Sequence, residues 1–552
     1  MISLHRPRFA VALTFIGLFA GCKNDSATVT PIPTPPNPQT VSVLTQHNDN
    51  TRAGLNDHET ALTTSNVNGQ QFGLVFTLPV DDEVYAQPLV VGGLTIDGGQ
   101  HNVVYVATVS NSLYAFDGDN GKLFWHKMFT AAGMRPPQAR DMTGACDGHY
   151  VNFSGNMGIV GTPVIDPAKQ TIYFVARSTD GSRYVQDLHA VNILSGDEMA
   201  GSPTRITASV AGNGDGSVNN VVAFDARRAN QRQGLTLVNG TVYLSFSSHC
   251  DWGPYHGWIL GYDATTLQQR VVYNDTPNGY AGGMWESGMG LAADAEGNLY
   301  AVSGNGSVGV AGDPRNLTNR GESAMKLTVS GSTFRVASFF TPAEFQLFND
   351  YDLDYGTMGS LLIPGTNLFL TGGKESRLYL LDKDNMGGWT SNTNSIRQVV
   401  TLGPRANMHC QAAYYRGATK EYVYVWSEND PLRAIPFDRG ANLLNSSGEL
   451  DVNSGPTGQS GAVISVSSNG TQPGTGIVWA SYAVTGDAED FVSPGILRAF
   501  DASDITKELW NSRQNLSRDA AGSYAKFASP TVANGHVYLP TFSNQVAVYG
   551  LR

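Results

Sequence analysis

Along most of the chain, apolar and polar positions alternate with a period of two, in short runs separated by Gly, Asn, Asp and Ser. Residues 103–108 (VVYVAT) are β-branched and aromatic; after a turn come 112–117 (SLYAFD), a second turn at 118–121, and 122–126 (KLFWH). This pattern predicts adjacent antiparallel strands joined by tight turns. It returns as 171–176 with 188–192, 240–246 with 259–263, 298–303 with 324–328, 367–372 with 377–382, 422–427 with 431–438, 476–482 with 497–501, and 536–541 with 545–550. The units stand about 50–75 residues apart, longer than the commonest propeller repeats. Almost no segment has helical periodicity, which excludes an α/β assignment.

Each unit alone exposes two apolar faces, and stacking the units around an axis buries both. The predicted fold is therefore all-β: an eight-bladed β-propeller of four-stranded antiparallel blades over residues 45–552. The last unit lacks an outer strand, while residues 72–80 (FGLVFTLPV) have no unit of their own. Pairing the two closes the ring and removes two exposed edges.

The N-terminus changes the picture of where this propeller works. His5, Arg6 and Arg8 precede a short apolar run at 9–19, too short for a permanent membrane span. Leu18-Phe19-Ala20-Gly21-Cys22 resembles a bacterial lipobox, so residues 1–22 are expected to be a lipoprotein signal peptide with Cys22 as the lipidation site. Residues 23–44, rich in Pro and Thr, are expected to form a semi-rigid linker. The expected location is the bacterial envelope, with the membrane reached only through the lipid. The net charge of −12, with 15% charged residues, excludes nucleic acid as a partner. Cys146, Cys250 and Cys410 are left after Cys22, so one disulfide and one buried thiol are expected, with three pairings open.

Residues 114–125 (YAFDGDNGKLFW) carry the A-x-D-x-x-x-G-K-x-x-W pattern of quinoprotein-type repeats, and 497–510 (LRAFDASDITKELW) is a looser copy. Residues 46–52 (QHNDNTR), 62–67 (LTTSNV) and 87–91 (QPLVV) resemble the opening of pyrroloquinoline-quinone (PQQ) dehydrogenases. The chain thus resembles the PQQ-repeat, quinoprotein alcohol dehydrogenase-like propellers, including bacterial members without an assigned reaction. The resemblance implies PQQ and calcium as candidate cofactors. It strongly implies architecture and weakly implies chemistry. The adjacent Cys-Cys pair of many such dehydrogenases is missing, as is any Cys-x-x-Cys-His for covalent haem.

Candidate site residues cluster on loops. Residues 248–258 (SHCDWGPYHGW) bring together His249, Asp251, Tyr255, His256 and Trp258, which suit a planar ring or a sugar; no ligand spacing assigns a metal. Residues 224–232 (FDARRANQR) supply Arg227 and Arg232, guanidinium groups suited to carboxylates, including those of PQQ, or to pairing with Asp215 and Asp225. Trp285 and Glu286 start a unit and are expected near the central channel, one to stack on a ring and the other to offer oxygen to calcium. Lys374-Glu375 reads as turn chemistry, and His409-Cys410 begin a unit and are expected to be able to face the channel.

With no catalytic set apparent, the leading expectation is a monomeric binding or interaction scaffold for a protein partner, a small molecule or a glycan. Its rivals are a PQQ- and calcium-dependent dehydrogenase of alcohols or sugars, and a polysaccharide hydrolase or lyase. A deep axial pocket with convergent Asp, Arg and Trp would favour an enzyme; a plugged channel with an apolar rim would favour the scaffold.

Overall fold

The computed structural model describes residues 40–310, 313–391, 394–404, 406–446, 450–452 and 455–552. The leader, Cys22 and most of the Pro/Thr-rich linker lie outside the described residues. No helix among the described residues is long and apolar enough to cross a membrane.

Eight antiparallel sheets follow one another along the chain, and each is a blade. Blade 1 consists of Leu89–Ile96, Gly99–Ala107, Ser112–Asp117 and Leu123–Met128, from innermost to outermost strand. The innermost strands of blades 2 to 7 begin at Val164, Thr236, Ala292, Leu361, Ala413 and Val463. Blade 8 has Thr531–Ala533, His536–Pro540 and Gln545–Leu551, and its outer strand is Phe72–Pro79 from the other end of the chain. The ring closes as the unmatched strand and the incomplete unit imply. Phe72 is fully buried there, with its ring centroid 5.0 Å from Trp510 and 5.4 Å from Trp479 of blade 7.

The repeat motif has a visible purpose. Asp117 accepts the backbone N–H of Asp119 at 2.9 Å, and Gly121 closes the turn with φ of 77°, a conformation that favours glycine. Trp125 is buried between blades, and its indole N–H donates to the Ile193 carbonyl of blade 2 at 3.0 Å.

The segment 43–56 holds the ring from inside. It has little regular structure, yet it bonds to the region of the innermost strand in every blade. Val43 bridges Val90, and Leu44 accepts from Ile165. Asn50 donates to Leu237 and accepts from Ala293. Thr51, Ala53 and Gly54 accept from Leu362, Tyr414 and Val466, and Asn56 donates to Val532. Arg52 lies at the centre, 0% exposed, and donates to the Leu291, Gln46 and Leu235 carbonyls and to the Thr45 and Thr236 hydroxyls. Burial lowers its pKa to about 10, and Asp49 and Glu286 favour its charge, so it stays a cation at neutral pH.

Arg52→Lys replaces a planar fork by one ammonium that cannot reach these five oxygens at once. Orphaned buried acceptors cost about 1–3 kcal/mol each, so urea denaturation should show a loss of about 2–4 kcal/mol. An unchanged midpoint would show that the segment does not hold the blades together.

Candidate functional site

The axis opens at one end into a cavity of about 520 Å³, within the span of about 300–1,000 Å³ typical of small-molecule sites. Its lining follows the repeat. Tyr85, Val160, Arg232, Thr357, His409, Gln459 and Phe527 all face it, and each stands four residues ahead of the first residue of an innermost strand (Leu89, Val164, Thr236, Leu361, Ala413, Val463 and Thr531). In blade 4 a 3-10 turn, Glu286–Gly288, intervenes, and Trp285 precedes it. The cavity is thus where eight lead-in segments converge. Loops between second and third strands add Asp251, Lys374 and Glu489. Beneath it, Gln411 donates to the carbonyls of Ser287 and Phe527 and accepts from Ser529, linking blades 4, 6 and 8.

A long connection from blade 1 to blade 2, residues 129–163, brings Tyr150, Asn152 and Phe153 to the cavity wall. Cys146 in this strap is disulfide-bonded to Cys250, which also lines the cavity. Cys410 is free and buried, and burial pushes its thiol up to about 12. Asn152 donates to Glu489 at 2.8 Å, Ser154 donates to Glu83, and the Tyr150 hydroxyl lies 2.6 Å from His249 Nδ1.

Charge is divided within the cavity. Lys374 sits 2.7 Å from Asp354 and 2.8 Å from Asp352. Burial by itself would raise the Asp354 pKa, but Lys374 holds it below the ordinary carboxylate value. Asp251 has no cation partner among the described residues and accepts from the Tyr255 hydroxyl at 2.6 Å. Its free surface faces the cavity, so the surrounding walls, reinforced by the charge of Asp354, raise its pKa to about 6. Arg232 and Lys526 supply cations with no carboxylate within salt-bridge distance among the described residues. Arg232 Nε donates to the Trp285 carbonyl at 3.2 Å, and its guanidinium lies over the rings of Phe527 (4.4 Å) and Trp285 (5.5 Å). Burial lowers Arg232 to about 10. Polar atoms on Trp285 (Nε1), Asn230 (Oδ1), Ser248 (Oγ) and Asn407 (Oδ1) are buried without partners, and all four residues line the cavity.

Of the candidate site residues singled out from sequence, Arg232, Asp251 and Trp285 meet in this cavity; His409, expected at the channel, and Lys374, read as a turn residue, line it too. Tyr255 stands behind Asp251, with its ring edge-on to Trp285. The other five have structural partners elsewhere. Arg227 stacks on Tyr184 and Trp252 and donates to the Asp141 carbonyl. Neither Asp215 nor Asp225 takes its charge; Asp225 pairs with Arg228 at 2.6 Å. His249 is wholly buried behind the wall, which holds its pKa well below the usual imidazole value. His256 is tied to Thr276 Oγ1 and the Asp215 carbonyl, both at 2.9 Å. Trp258 is core, packed edge-on to Phe224. Glu286 does not reach the channel: it is buried, accepts the Val302 N–H at 3.0 Å, and burial raises its pKa to about 8. Lys526 stands alone in sequence, while Asp354 and Glu489 fall in acidic stretches (350–354, DYDLD; 487–490, DAED) that carry no motif; their shared signal is position, on the segments that lead into blades or join their second and third strands.

No protein-family model matches the chain, and no curated protein matches it. Solved structures do. Quinohemoprotein alcohol dehydrogenase ADHIIG from Pseudomonas putida HK5 aligns over 92% of this chain and 80% of its own, at 16% identity and TM-score 0.53. The quinohemoprotein alcohol dehydrogenase from Comamonas testosteroni aligns over the same shares at 15% identity and TM-score 0.57. A europium-containing methanol dehydrogenase aligns over 92% of this chain and 98% of its own, at 11% identity and TM-score 0.58. The chain shares the propeller fold of these dehydrogenases. At these identities the likeness establishes the fold.

The disulfide closes a loop with a sequence separation of 104 residues. Replacing both Cys146 and Cys250 by Ser should cost about 2–4 kcal/mol and open residues 129–163 to limited proteolysis. Unchanged proteolysis would mean that the strap is held by its hydrogen bonds alone.

Proposed function

We propose that the protein is a quinone-dependent dehydrogenase of alcohols or sugars that works in the axial cavity, outside the cytoplasm. The observation that carries this reading is the convergence of Arg232, Lys526, Trp285 and Asp251 on one deep pocket. A plugged axis would have spoken for the scaffold reading instead. The likeness in fold to alcohol and methanol dehydrogenases supports the same reaction class. The Cys146–Cys250 disulfide supports an oxidising compartment and, with the N-terminal lipobox, an envelope lipoprotein.

The donors present suit PQQ. Arg232 and Lys526 offer charge to its carboxylates, Trp285 offers an aromatic face, and the orphaned polar atoms of Trp285, Asn230, Ser248 and Asn407 offer hydrogen bonds. When bound, the quinone supplies a two-electron acceptor. The remaining work falls to the chain. Asp251, free of a cation, takes the proton of the substrate hydroxyl, with Tyr255 orienting its carboxylate. Asp354 is committed to Lys374 and keeps one fixed anion in the wall. Calcium fits less well: no group of three His, Cys, Asp or Glu among the described residues is arranged to hold a metal, and no step is derived through one.

A base must be deprotonated to act. With Asp251 raised to about 6, kcat should rise with pH through that value. Binding should weaken above about 8, where Lys526 loses its charge. In dye-linked assays with PQQ and a panel of alcohols and sugars, Asp251→Asn should lower kcat about 10²–10⁴-fold while the protein still binds PQQ. No saturable binding at a large excess of PQQ would overturn the reading and direct the search to protein partners and glycans.

A further inference from the structure

Lys526 is not explained by quinone binding alone. It is 4% exposed, yet it lines the cavity, and its ammonium makes one hydrogen bond among the described residues, to the Glu489 carbonyl at 3.2 Å. A buried lysine normally finds a carboxylate. Here no carboxylate lies within salt-bridge distance among the described residues; Glu489 shares the wall, and so does a second cation, Arg232, held on the ring of Phe527, the residue next to Lys526. Arg232 spends Nε on the Trp285 carbonyl, while Nη1 and Nη2 have no hydrogen-bond partner among the described residues. That leaves a planar fork and a primary amine on the wall of one pocket. The fork suits a carboxylate; an amine that is desolvated next to another cation is the setting of a Schiff-base nucleophile.

We propose that Lys526 is the nucleophile of a carbonyl-binding site, which condenses reversibly with an aldehyde or ketone whose carboxylate is held by Arg232. The neutral amine of Lys526 adds to the carbonyl carbon, and the carbonyl oxygen takes up protons and leaves as water. The product is an imine between Nζ and the ligand carbon, with no change of oxidation state. Hydrolysis reverses it. An aldehyde is also what oxidation of a primary alcohol in this cavity would release, but the condensation needs no quinone.

Burial favours a reactive amine at Nζ. Burial lowers its pKa; Glu489, Asp487 and Glu83 oppose this and Arg232 adds to it, leaving the group at about 8 instead of 10.5. At pH 7 about a tenth of Lys526 is then neutral, against less than a thousandth of an ordinary exposed lysine. The pocket should therefore outcompete surface lysines by roughly 10²-fold at equal probe concentration.

The test uses the full, quinone-free chain at pH 7 with glyoxylate and cyanoborohydride, which reduces any imine to a stable secondary amine; peptide mass mapping then locates the adduct. The expected result is an adduct on Lys526 at sub-stoichiometric glyoxylate, formed at least tenfold faster than with uncharged propionaldehyde. Lys526→Arg keeps the charge and removes the nucleophile, so it should abolish that adduct while the urea denaturation midpoint stays unchanged. Adducts spread over exposed lysines with Lys526 unmodified, or equal rates with glyoxylate and propionaldehyde, would overturn the proposal. Because quinone binding is measured separately, the trapping result and the dehydrogenase reading fail independently.

Discussion

Arg52, at 0% exposure, and the segment around it are what the ring depends on. A propeller blade buries its faces against its neighbours, which leaves the axis as the place where backbone groups of all eight innermost strands risk being orphaned. Residues 43–56 answer that risk by threading past every blade, giving and accepting hydrogen bonds in turn. Arg52 suits the centre because one planar cation satisfies five neutral oxygens, two in its own segment and three at blades 3 and 4. His47 does related work: its ring nitrogens lie 2.8 Å from the Arg52 carbonyl and 2.9 Å from that of Ile464. With residues 43–56 filling the axis, the opening above becomes a blind pocket and not a channel.

The second constraint is the outer closure. Phe72–Pro79 pairs with Gln545–Leu551, so blade 8 exists only when the two ends of the domain meet. The packing of Phe72, tilted against Trp479 and edge-on to Trp510, then buries the seam between blades 7 and 8. A rigid ring permits the unusual electrostatics of the cavity. Lys526 and Arg232 stay close together without carboxylate partners because the backbone on either side is fixed by neighbouring blades. Cost tolerated at a site in this way is commonly associated with function.

Much of this was legible in the sequence. Period-two runs and the Asp-to-Gly turns around Asp117 and Gly121 revealed the blades, because strand alternation is local. The closure followed from counting: residues 72–80 had no unit, and the last unit had no outer strand. The role of residues 43–56 was not legible, because the segment is irregular and His47, Asn48 and Arg52 adopt positive φ. In the site, Arg232, Asp251 and Trp285 stood out as dense polar and aromatic stretches, but so did Arg227, His256 and Trp258, whose partners are structural. Lys526 was missed because it sits singly in a loop, and Asp354 because nothing in 350–354 (DYDLD) marks which carboxylate the fold will bury. Lys374 read as an ordinary turn residue. The regular offset of four residues ahead of an innermost strand would have found one lining residue in each of seven blades, Arg232 and His409 among them, had blade starts been placed to within a residue.

The central claim is that eight lead-in segments build one ligand site, with Arg232, Lys526 and Trp285 as its anchors. A crystal structure of the protein soaked with PQQ tests this most directly. The account predicts difference density for a planar ring against Trp285, with a carboxylate on Arg232. Density at another surface, or an axial cavity holding only water at saturating PQQ, would contradict it.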